Sequence, residues 1–431
     1  MLRDGGLGMS GFVPKPSAGQ YTARAAPPWT TPWLIAAVAL LLRLGWVALV
    51  PIVPLADSFL YDGFAKNIAF GKGYAFPGGD LTVYWPVGAS AVYAAIYKLF
   101  GTGGGPTAIF QAMLGAVIVL LTWRLAHRYS GPRAAGLAGW LVACWPLLIE
   151  FTTILASELI FIALVLAALN AWAGERLRPM VRACLWGALI AGATYVRPTA
   201  WPMLVIFPVC GWLVDRRWPN VLLTFAVSAL TAALLFAPWV HRNYQLFGSF
   251  VLVAANGGPN LWMGNNPDSI GGYMPLPQRT FASEVERDRF YGGEAVAYIK
   301  SHPIEYLKLS LRRAVMTYDR ETIGVVWNET GISQQFGSGA LQPLKLLSTA
   351  YWLSMLLLGA YGVWRSLKLR ALARVWPVLA ALVFFAAVPV LTVAQDRYHV
   401  PIDPLLAIFV GWGVFGFAGR AGLEQGVSRD G

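Results

Sequence analysis

Long apolar runs, separated by short polar segments, fill most of this chain. They lie at about 33–53, 106–126, 133–149, 158–174, 182–196, 199–214, 219–240, 343–364, 375–394 and 399–418. Each run is close to the roughly 20 residues that an α-helix needs to cross a bilayer. None of them alternates residue by residue, as the strands of a transmembrane β-barrel do. The pattern therefore predicts an all-α polytopic membrane protein with about ten transmembrane helices.

The polar stretch after the first run, residues 54–105, has a helical pattern of its own. Its apolar positions recur every three or four residues, with polar residues between them: Leu60, Tyr61, Phe64, Ala65, Ile68 and Ala69. A segment that is this short and this polar does not cross a bilayer and is typical of a helix that lies on the membrane surface. A second such segment, residues 87–100, follows a connection rich in glycine and proline. We expect two interfacial helices in this stretch.

A second long polar stretch runs from about residue 241 to residue 342. It begins rich in turns and aromatic residues and turns helical over about 282–319, with a break predicted at Pro303. After the break, apolar residues (Leu307, Leu311, Ala314, Val315) alternate with basic ones (Lys308, Arg312, Arg313). This alternation predicts a further interfacial helix.

The charge pattern orients these segments in the membrane. The chain is 57% hydrophobic and 13% charged, with a formal net charge of +12. Its arginine clusters, such as Arg124, Arg128 and Arg133, lie in short loops on the side of the N-terminal tail, which the positive-inside rule makes cytoplasmic. Both long polar stretches then face the outside. We therefore read the excess charge as a topology signal and a contact with anionic lipid, not as a nucleic-acid site.

The cysteines and histidines do not form a metal-binding motif. The three cysteines (Cys144, Cys184, Cys210) are scattered through apolar runs, which favours packed free thiols over a disulfide or a metal site. No CxxC or HExxH spacing occurs, so we predict no metal ligands.

Acidic residues at the outer ends of two spans are candidates for chemistry. Asp57 follows the first span and lies four residues before Tyr61, so one helix face would present both. Asp57 is a general base at the membrane surface or a helix N-cap, and its position alone does not separate the two. Glu158, which opens the fourth span, is also explained as a charge near a helix N-terminus. Arg43 lies within the first span, and we expect it to face the bundle interior and pair with an acid.

Three arginines mark the outer ends of other spans. Arg197, Arg242 and Arg397 lie at one predicted depth, around the stretch that carries the carboxylates. Interfacial snorkelling explains any one of them, whereas together they are suited to bidentate binding of a phosphate. Trp85 and Tyr398 are candidates to stack on sugar rings, although an aromatic belt is normal at this depth.

Taken in chain order, these positions resemble a known family. The relevant residues are Asp57, Tyr61, Ala65, Gly73-Tyr74, Trp85-Pro86, Phe100-Gly101, Ser157-Glu158, Arg197-Pro198, the PW..RN and G...GN segments between Pro238 and Asn265, and Arg397, Tyr398 and Pro401. Their order resembles that of membrane glycosyltransferases with the GT-C fold, in particular bacterial relatives of the protein O-mannosyltransferases and of the lipid A aminoarabinose transferase, a pattern like glycosyltransferase family 39.

The resemblance implies an inverting glycosyltransferase that uses a polyprenyl-phosphate sugar. Asp57 would then act on the acceptor, and Arg242 and Arg397 would bind the lipid phosphate. We expect the substrate-binding residues to be Tyr61, Asp62, Trp85, Glu158, Arg197, Arg242, Asn243, Arg397 and Tyr398. One departure concerns Trp85-Pro86-Val87, where relatives often have Lys-Pro-Pro or His-Pro-Pro. A basic phosphate ligand is therefore missing at that position.

The composition and the apolar runs, together with this resemblance, divide the chain. We expect a disordered cytoplasmic tail (1–28), GT-C core helices (29–240) with the catalytic outer loop at 54–105, a second periplasmic loop (241–342), C-terminal transmembrane helices (343–418) and a cytoplasmic tail (419–431). The expected location is a bacterial inner membrane with the site facing the periplasm.

Several functional alternatives stay open at this point. The acceptor is a glycan, a lipid or a protein. A ligase or polymerase that uses lipid-diphosphate sugars is one alternative, and a transporter of glycolipid or polar solute is another. We expect no obligatory cofactor, because phosphate is a good leaving group. A divalent cation, magnesium or manganese, shared by Asp57 and Glu158 is the alternative to metal-free chemistry.

Overall fold

The computed structural model describes residues 27–174, 177–215, 218–369 and 372–416, and most of both predicted tails lies outside these ranges. The helices are α1 Pro32–Leu49, α2 Asp57–Ala69, α3 Gly88–Phe100, α4 Gly104–Ser130, α5 Pro132–Ala143, α6 Pro146–Glu150, α7 Glu158–Trp172, α8 Pro179–Val196, α9 Met203–Asp215, α10 Trp218–Phe247, α11 Gly257–Gly264, α12 Glu284–Ser301, α13 Pro303–Tyr318, α14 Ile323–Trp327, α15 Glu329–Phe336, α16 Leu341–Lys368, α17 Leu372–Leu391 and α18 Asp403–Phe415. No β-strand forms within these ranges, which contain two isolated bridges, Ala75–Leu81 and Gly272–Ala394. The all-α prediction is confirmed.

All ten predicted apolar runs contain helices. Six helices (α1, α4, α8, α10, α16 and α17) have stretches long and apolar enough to cross a membrane. Helices α5 and α6 together are also long and apolar enough to cross a membrane, but they are bent by 57° at their junction. Three shorter apolar helices, at 158–172, 198–214 and 400–415, coincide with the remaining runs. The chain is a multi-pass membrane protein, and ten spans remains a prediction about how many of these helices cross the bilayer.

The break between α5 and α6 explains the buried arginine in α1. Pro146 has no N–H to donate to the carbonyl of Val142, so the end of α5 is left without a helical partner. Arg43, which is fully buried, supplies the missing donors to Val142 O at 3.2 Å and Ala143 O at 3.1 Å. The prediction that Arg43 faces the interior is confirmed, whereas its expected acidic partner is wrong. The negative end of a helix takes the place of a carboxylate.

The cysteines are free, as predicted, but they are not all packed. Cys184 and Cys210 are partly buried, whereas Cys144 is exposed at the break between α5 and α6. The bend turns this position out of the bundle, which the apolar run around it does not reveal.

Helix α18 lies at the centre of the bundle. Every residue from Asp403 to Gly413 is buried, and the helix packs against α4, α5 and α16. The backbones of neighbouring helices lie so close to α18 that two glycines leave no room for a side chain. A Cβ on Gly411 would lie 2.5 Å from Ala134 O, and one on Gly362 would lie 2.0 Å from Phe409 O. Small residues permit such contacts between membrane helices. The turn before α18 is therefore held firmly beneath the outer surface.

The two long polar stretches form one layer above the bundle. The predicted interfacial helices are present as α2 and α3, and the predicted break separates α12 from α13 at Pro303. Glu284, the first residue of α12, joins the stretches by accepting hydrogen bonds from Val83 N at 2.7 Å and Thr82 Oγ1 at 2.8 Å. Helix α10 continues to Phe247, so the second stretch begins later than the predicted residue 241.

One residue of α13 departs from its predicted position. Leu307, Leu311 and Val315 are exposed along one side, in keeping with a helix at the membrane surface. Arg313 was expected on the polar, solvated face and is fully buried instead. Its guanidinium donates to the carbonyl oxygens of Val390 and Gly264, both at 2.6 Å. It therefore attaches α13 to the end of α17.

Candidate active site

An unusual turn places Asp57 at the start of α2. Ala56 has φ 51° and is the one non-glycine residue with positive φ in the described ranges. This backbone conformation is costly for alanine and is typical of sites where surrounding structure imposes a geometry. Ala56 occupies the N-cap position of α2, so Asp57 is the first helical residue and not the cap. The carboxylate is thereby free to point away from the helix.

Two carboxylates and two guanidiniums meet in front of this turn. Arg397 Nη2 lies 2.5 Å from Asp57 Oδ2, and Arg397 Nη1 lies 3.8 Å from Glu158 Oε1. Arg197 forms an ion pair with the same Glu158 oxygen. Its Nε donates to Ser157 Oγ at 2.8 Å, so the hydroxyl before α7 is used by Arg197 and makes no cap bond. Segments separated by more than 300 positions of sequence converge here.

Arg397 is the shared member of this cluster. Burial by itself would lower its pKa, but the carboxylates of Asp57 and Glu158 more than offset that effect and raise the pKa above its ordinary value. Its Nε also donates to Gln395 Oε1 at 2.7 Å, and its guanidinium lies 4.6 Å from the centre of the Trp327 ring. Gln395 and Trp327 therefore orient the Arg397 side chain independently of Asp57.

Asp57 and Arg397 border a cavity of about 580 Å³. Its polar lining includes Asp57, Ser157, Arg197, Arg287 and Arg397, together with Asn256 and Asn260. Apolar residues of the cavity come in part from the end of α17 and the residues just after it: Phe385, Val388, Pro389 and Val393. A cavity lined by both charged and apolar residues suits an amphiphile whose head group and tail separate at the membrane surface.

Aromatic residues complete the cavity near Asp57. Tyr61, Trp85 and Tyr398 all line it, and the rings of Tyr61 and Trp85 pack edge to face at 5.2 Å. Burial, with a further contribution from Glu158, raises the pKa of Tyr61 to about 12. Its phenol therefore stays protonated at neutral pH. The predicted placement of Asp57 and Tyr61 on one helix face is consistent with both lining one cavity.

Four of the predicted substrate-binding residues do not line the cavity: Glu158, which is buried and contacts the cavity residues Arg197 and Arg397, and three residues that lie apart from the cluster, Asp62, Arg242 and Asn243. Arg242 donates to Thr82 O at 2.9 Å and lies over the Trp239 ring. Asn243 is buried and donates to Val251 O. Asp62 accepts from Tyr97 and pairs with Lys66, both at 2.6 Å. The structure thus brings together Asp57, Tyr61, Trp85, Glu158, Arg197, Arg397 and Tyr398, and leaves these three apart.

Arg287 is the one charged residue in the cavity lining that the sequence analysis did not select. Arg287 of α12 reaches the cavity with its guanidinium 4.3 Å from the centre of the Tyr84 ring. Its Nε is buried without a hydrogen-bond partner, and no ion pair involves it in the described part of the chain. Arg287 lies among other charged residues in an amphipathic helix, and that pattern does not show which one faces inward. It is a cation with unused donors beside the cavity.

A separate group has the composition of a metal site. In the described chain, three buried side chains (Glu321, His399, Asp403) place potential ligand atoms within 4.8 Å of one another. None of them lines the cavity. Between Asp57 and Glu158, where the sequence left a shared cation open, the positive charge comes from Arg397.

Comparisons with known proteins agree with this fold. The family model described as dolichyl-phosphate-mannose-protein mannosyltransferase matches residues 85–241, less than half of the chain. A search of curated proteins found no significant match. The oligosaccharyltransferase AglB from Archaeoglobus fulgidus, in complex with an inhibitory peptide and a dolichol-phosphate, is similar with TM-score 0.53 and 14% identity, over 89% of this chain and 50% of AglB.

A second solved structure resembles the chain to the same degree. ArnT from Cupriavidus metallidurans, bound to undecaprenyl phosphate, has TM-score 0.52 and 15% identity, over 91% of this chain and 61% of ArnT. The chain therefore spans less than two thirds of the length of either protein. At such identities the likeness concerns the fold. The chain has the GT-C fold of membrane glycosyltransferases.

Proposed function

We propose that this protein is an inverting glycosyltransferase that moves a sugar from a polyprenyl-phosphate donor to an acceptor. The observation that carries the proposal is the pair formed by Asp57 and Arg397 at the border of the cavity that apolar residues of α17 also line. In this arrangement, Asp57 would be the base and Arg397 the phosphate-binding cation of one site. The GT-C fold, with its neighbours bound to dolichol-phosphate and undecaprenyl phosphate, supports the same chemistry.

Donor binding follows from the mixed lining of the cavity. The polyprenyl chain would lie along the apolar residues at the end of α17, and the phosphate would lie at the guanidiniums. Arg397 is one phosphate ligand, because charge-assisted hydrogen bonds from arginine to phosphate are short and geometrically specific. Arg287 is the second, since its donors are not used by a carboxylate. It would supply the basic ligand that Trp85-Pro86-Val87 lacks.

The ion pair between Asp57 and Arg397 links donor binding to catalysis. Arg397 Nη2 is occupied by Asp57 Oδ2 at 2.5 Å. When the lipid phosphate takes over this nitrogen, the carboxylate of Asp57 is released from the pair and can contact the acceptor hydroxyl. Binding of the donor would therefore free the residue that is needed for the next step.

The transfer itself is a single displacement. Asp57 removes the proton from an acceptor hydroxyl, whose oxygen attacks C1 of the sugar from the face opposite the phosphate. The new O–C1 bond forms as the C1–O bond to the phosphate breaks, and the phosphate leaves with the bonding pair. A positioned general base typically contributes about 10²–10⁴-fold to such a step. Arginines at the leaving phosphate stabilise the charge that develops there.

Glu158 and Arg197 act by positioning. Glu158 is buried and lies between both arginines, so its charge keeps two guanidiniums at one place without exposing it to substrate. Tyr61, as a protonated donor, and Trp85 are placed to contact the sugar. Asp62, Arg242 and Asn243 support the outer layer from outside the cavity.

The location and domain division follow from topology. We propose a bacterial inner membrane with the cavity facing the periplasm, and the positive-inside pattern supports this orientation. Residues 54–105 then provide the base and the aromatic side, 241–342 provide Arg287, and 343–418 provide Arg397 and the lipid side. The acceptor would enter from the aqueous face.

The test is a transfer assay with the purified full chain in lipid nanodiscs. Labelled polyprenyl-monophosphate and polyprenyl-diphosphate sugars are supplied with a membrane extract as the source of acceptor. We expect transfer from the monophosphate donor, and a loss of about 10²–10⁴-fold with Asp57→Asn. Asp80→Asn, an exposed carboxylate in the same outer loop, is the matched control. Unchanged transfer by a folded Asp57→Asn variant would contradict the assignment, and transfer from the diphosphate alone would favour a ligase or polymerase.

A further inference from the structure

A buried cluster beneath the candidate active site has no role in the chemistry above. Glu321 follows α13, His399 lies in the turn before α18, and Asp403 is the first residue of α18. All three are fully buried, and their ligand atoms lie within 4.8 Å of one another. Two carboxylates this close and this deep in a membrane protein require a compensating positive charge or a proton.

The histidine is held in one tautomer. His399 Nδ1 lies 2.9 Å from the carbonyl oxygen of Thr317, which can only accept, so Nδ1 carries the hydrogen. Trp352 stacks on the ring at 3.9 Å and fixes its orientation. A neutral His399 then presents the lone pair of Nε2 to the interior of the cluster. This is the arrangement of metal-binding histidines, whose second nitrogen usually donates to a carbonyl or carboxylate.

The lone pair of His399 faces an acceptor. Nε2 lies 3.2 Å from Glu321 Oε1, and that carboxylate also accepts from Trp145 Nε1 at 3.0 Å. A lone pair opposed to a carboxylate is repulsive unless something positive lies between or beside them. Two ligands of a tetrahedral zinc ion, each about 2.0–2.1 Å from the metal, are themselves about 3.4 Å apart. The observed separation is close to that spacing.

Asp403 provides the second indication. Both of its carboxylate oxygens are buried without a hydrogen-bond partner, although the side chain points into the cluster. In the described part of the chain, no lysine or arginine pairs with Asp403 or Glu321. A protonated Asp403 would donate to a neighbouring acceptor, and no such bond is formed. An unpartnered carboxylate in this position is expected of a ligand.

We propose that Glu321, His399 and Asp403 bind a divalent transition-metal ion, with zinc as the best match. Imidazole nitrogen and carboxylate oxygen are both ligand types of zinc, and the two negative charges of the carboxylates neutralise the ion in this buried place.

The ion would stabilise the segment that contains Arg397, the proposed phosphate-binding arginine. Arg397 lies two residues before His399, and Trp327, on which its guanidinium stacks, lies in the helix that follows Glu321. The site therefore joins the end of α13 to the start of α18 and to the turn before it. This role is structural and does not depend on the proposed transferase activity.

The test measures metal in the purified full-length protein. After incubation with zinc and removal of free metal, we expect about one zinc ion per chain by inductively coupled plasma mass spectrometry. Asp403→Asn and His399→Gln should each lose at least about tenfold in zinc affinity. His302→Gln, an exposed histidine near α13, is the matched control and should retain the ion.

A second measurement covers variants that fail to fold. A chelator should lower the melting temperature of the wild-type protein, and added zinc should restore it, with no need for any variant. Wild-type protein that takes up no zinc and melts at the same temperature with and without chelator would overturn the proposal. So would a folded His399→Gln variant that keeps its zinc, since the ion would then lie elsewhere.

Discussion

The change of Asp57 to asparagine should strengthen the binding of a lipid phosphate while it abolishes transfer. In the free protein, Arg397 Nη2 is paired with Asp57 Oδ2 at 2.5 Å. A phosphate must displace this carboxylate to reach the guanidinium. Asparagine keeps the shape of the side chain and removes the charge that competes with phosphate. Arg397 stays oriented in the variant, because Gln395 and Trp327 hold it independently.

The size of the effect follows from the geometry of the pair. Charges centred about 4 Å apart attract each other by about 4 kcal/mol at an effective dielectric constant of about 20. The side chain of Asp57 is 26% exposed and that of Arg397 is 11% exposed, so water screens part of this attraction. With that discount we expect a gain of about 1.4 kcal/mol, which is about a tenfold lower Kd.

The assay is a titration of the purified protein in nanodiscs with undecaprenyl phosphate, followed by tryptophan fluorescence. Trp85 lines the cavity and Trp327 stacks on Arg397, so both report on this site. Asp80→Asn, in the same loop but exposed, should leave the Kd unchanged. Equal or weaker binding by a folded Asp57→Asn variant would refute the idea that the carboxylate and the phosphate compete for Arg397.

Three further predictions address other parts of the account. Arg287→Ala should raise the Kd for undecaprenyl phosphate about tenfold or more, because it removes a charge-assisted contact of about 1.5–3 kcal/mol. The control Arg289→Ala changes an exposed arginine on the same helix and should leave the Kd unchanged. Equal effects of the two substitutions would contradict a role for Arg287 in phosphate binding. Arg43→Met should lower the unfolding free energy by about 2–4 kcal/mol through carbonyls left unpaired at the end of α5, which an unchanged thermal melt would contradict. Ala56→Gly should raise the melting temperature, since glycine relieves about 1 kcal/mol of backbone strain at φ 51°; a lower melting temperature would show that the turn is not strained.

The apolar pattern of the sequence was sufficient to predict most of the helical architecture. A lipid-facing helix must satisfy its own backbone and present apolar side chains, so runs of about 20 residues identify it directly. The interfacial helices were equally visible, and Pro303 marked the break between α12 and α13 at the correct place. The bend between α5 and α6 was not predicted, although Pro146 lies at this position and proline interrupts helices.

The buried arginines show where sequence reasoning reaches its limit. Arg43 and Arg313 satisfy their charges with backbone carbonyls at helix ends. Every residue has a backbone carbonyl, so the residue types in the sequence do not indicate which carbonyl an arginine will contact. The same limit hid the orientation of Arg287, because an exposed amphipathic helix contains several arginines and only the packing selects the one that faces the cavity.

The candidate site was predicted in part for a similar reason. Asp57, Glu158, Arg197 and Arg397 were selected because they end apolar spans at one depth, and depth is what brings them together. Arg242 met the same criterion but points toward the carbonyls of Thr82 and Tyr74. Depth fixes the layer in which a side chain lies, whereas its direction around the helix depends on contacts with distant segments.

The most direct test of the central claim is a structure of the protein with undecaprenyl phosphate, determined by cryo-electron microscopy in nanodiscs. The account predicts phosphate oxygens about 2.7–2.9 Å from the guanidiniums of Arg397 and Arg287, the lipid chain along Val388 and Pro389, and Asp57 released from its pair. A phosphate bound elsewhere, with the contact between Asp57 and Arg397 intact, would contradict it.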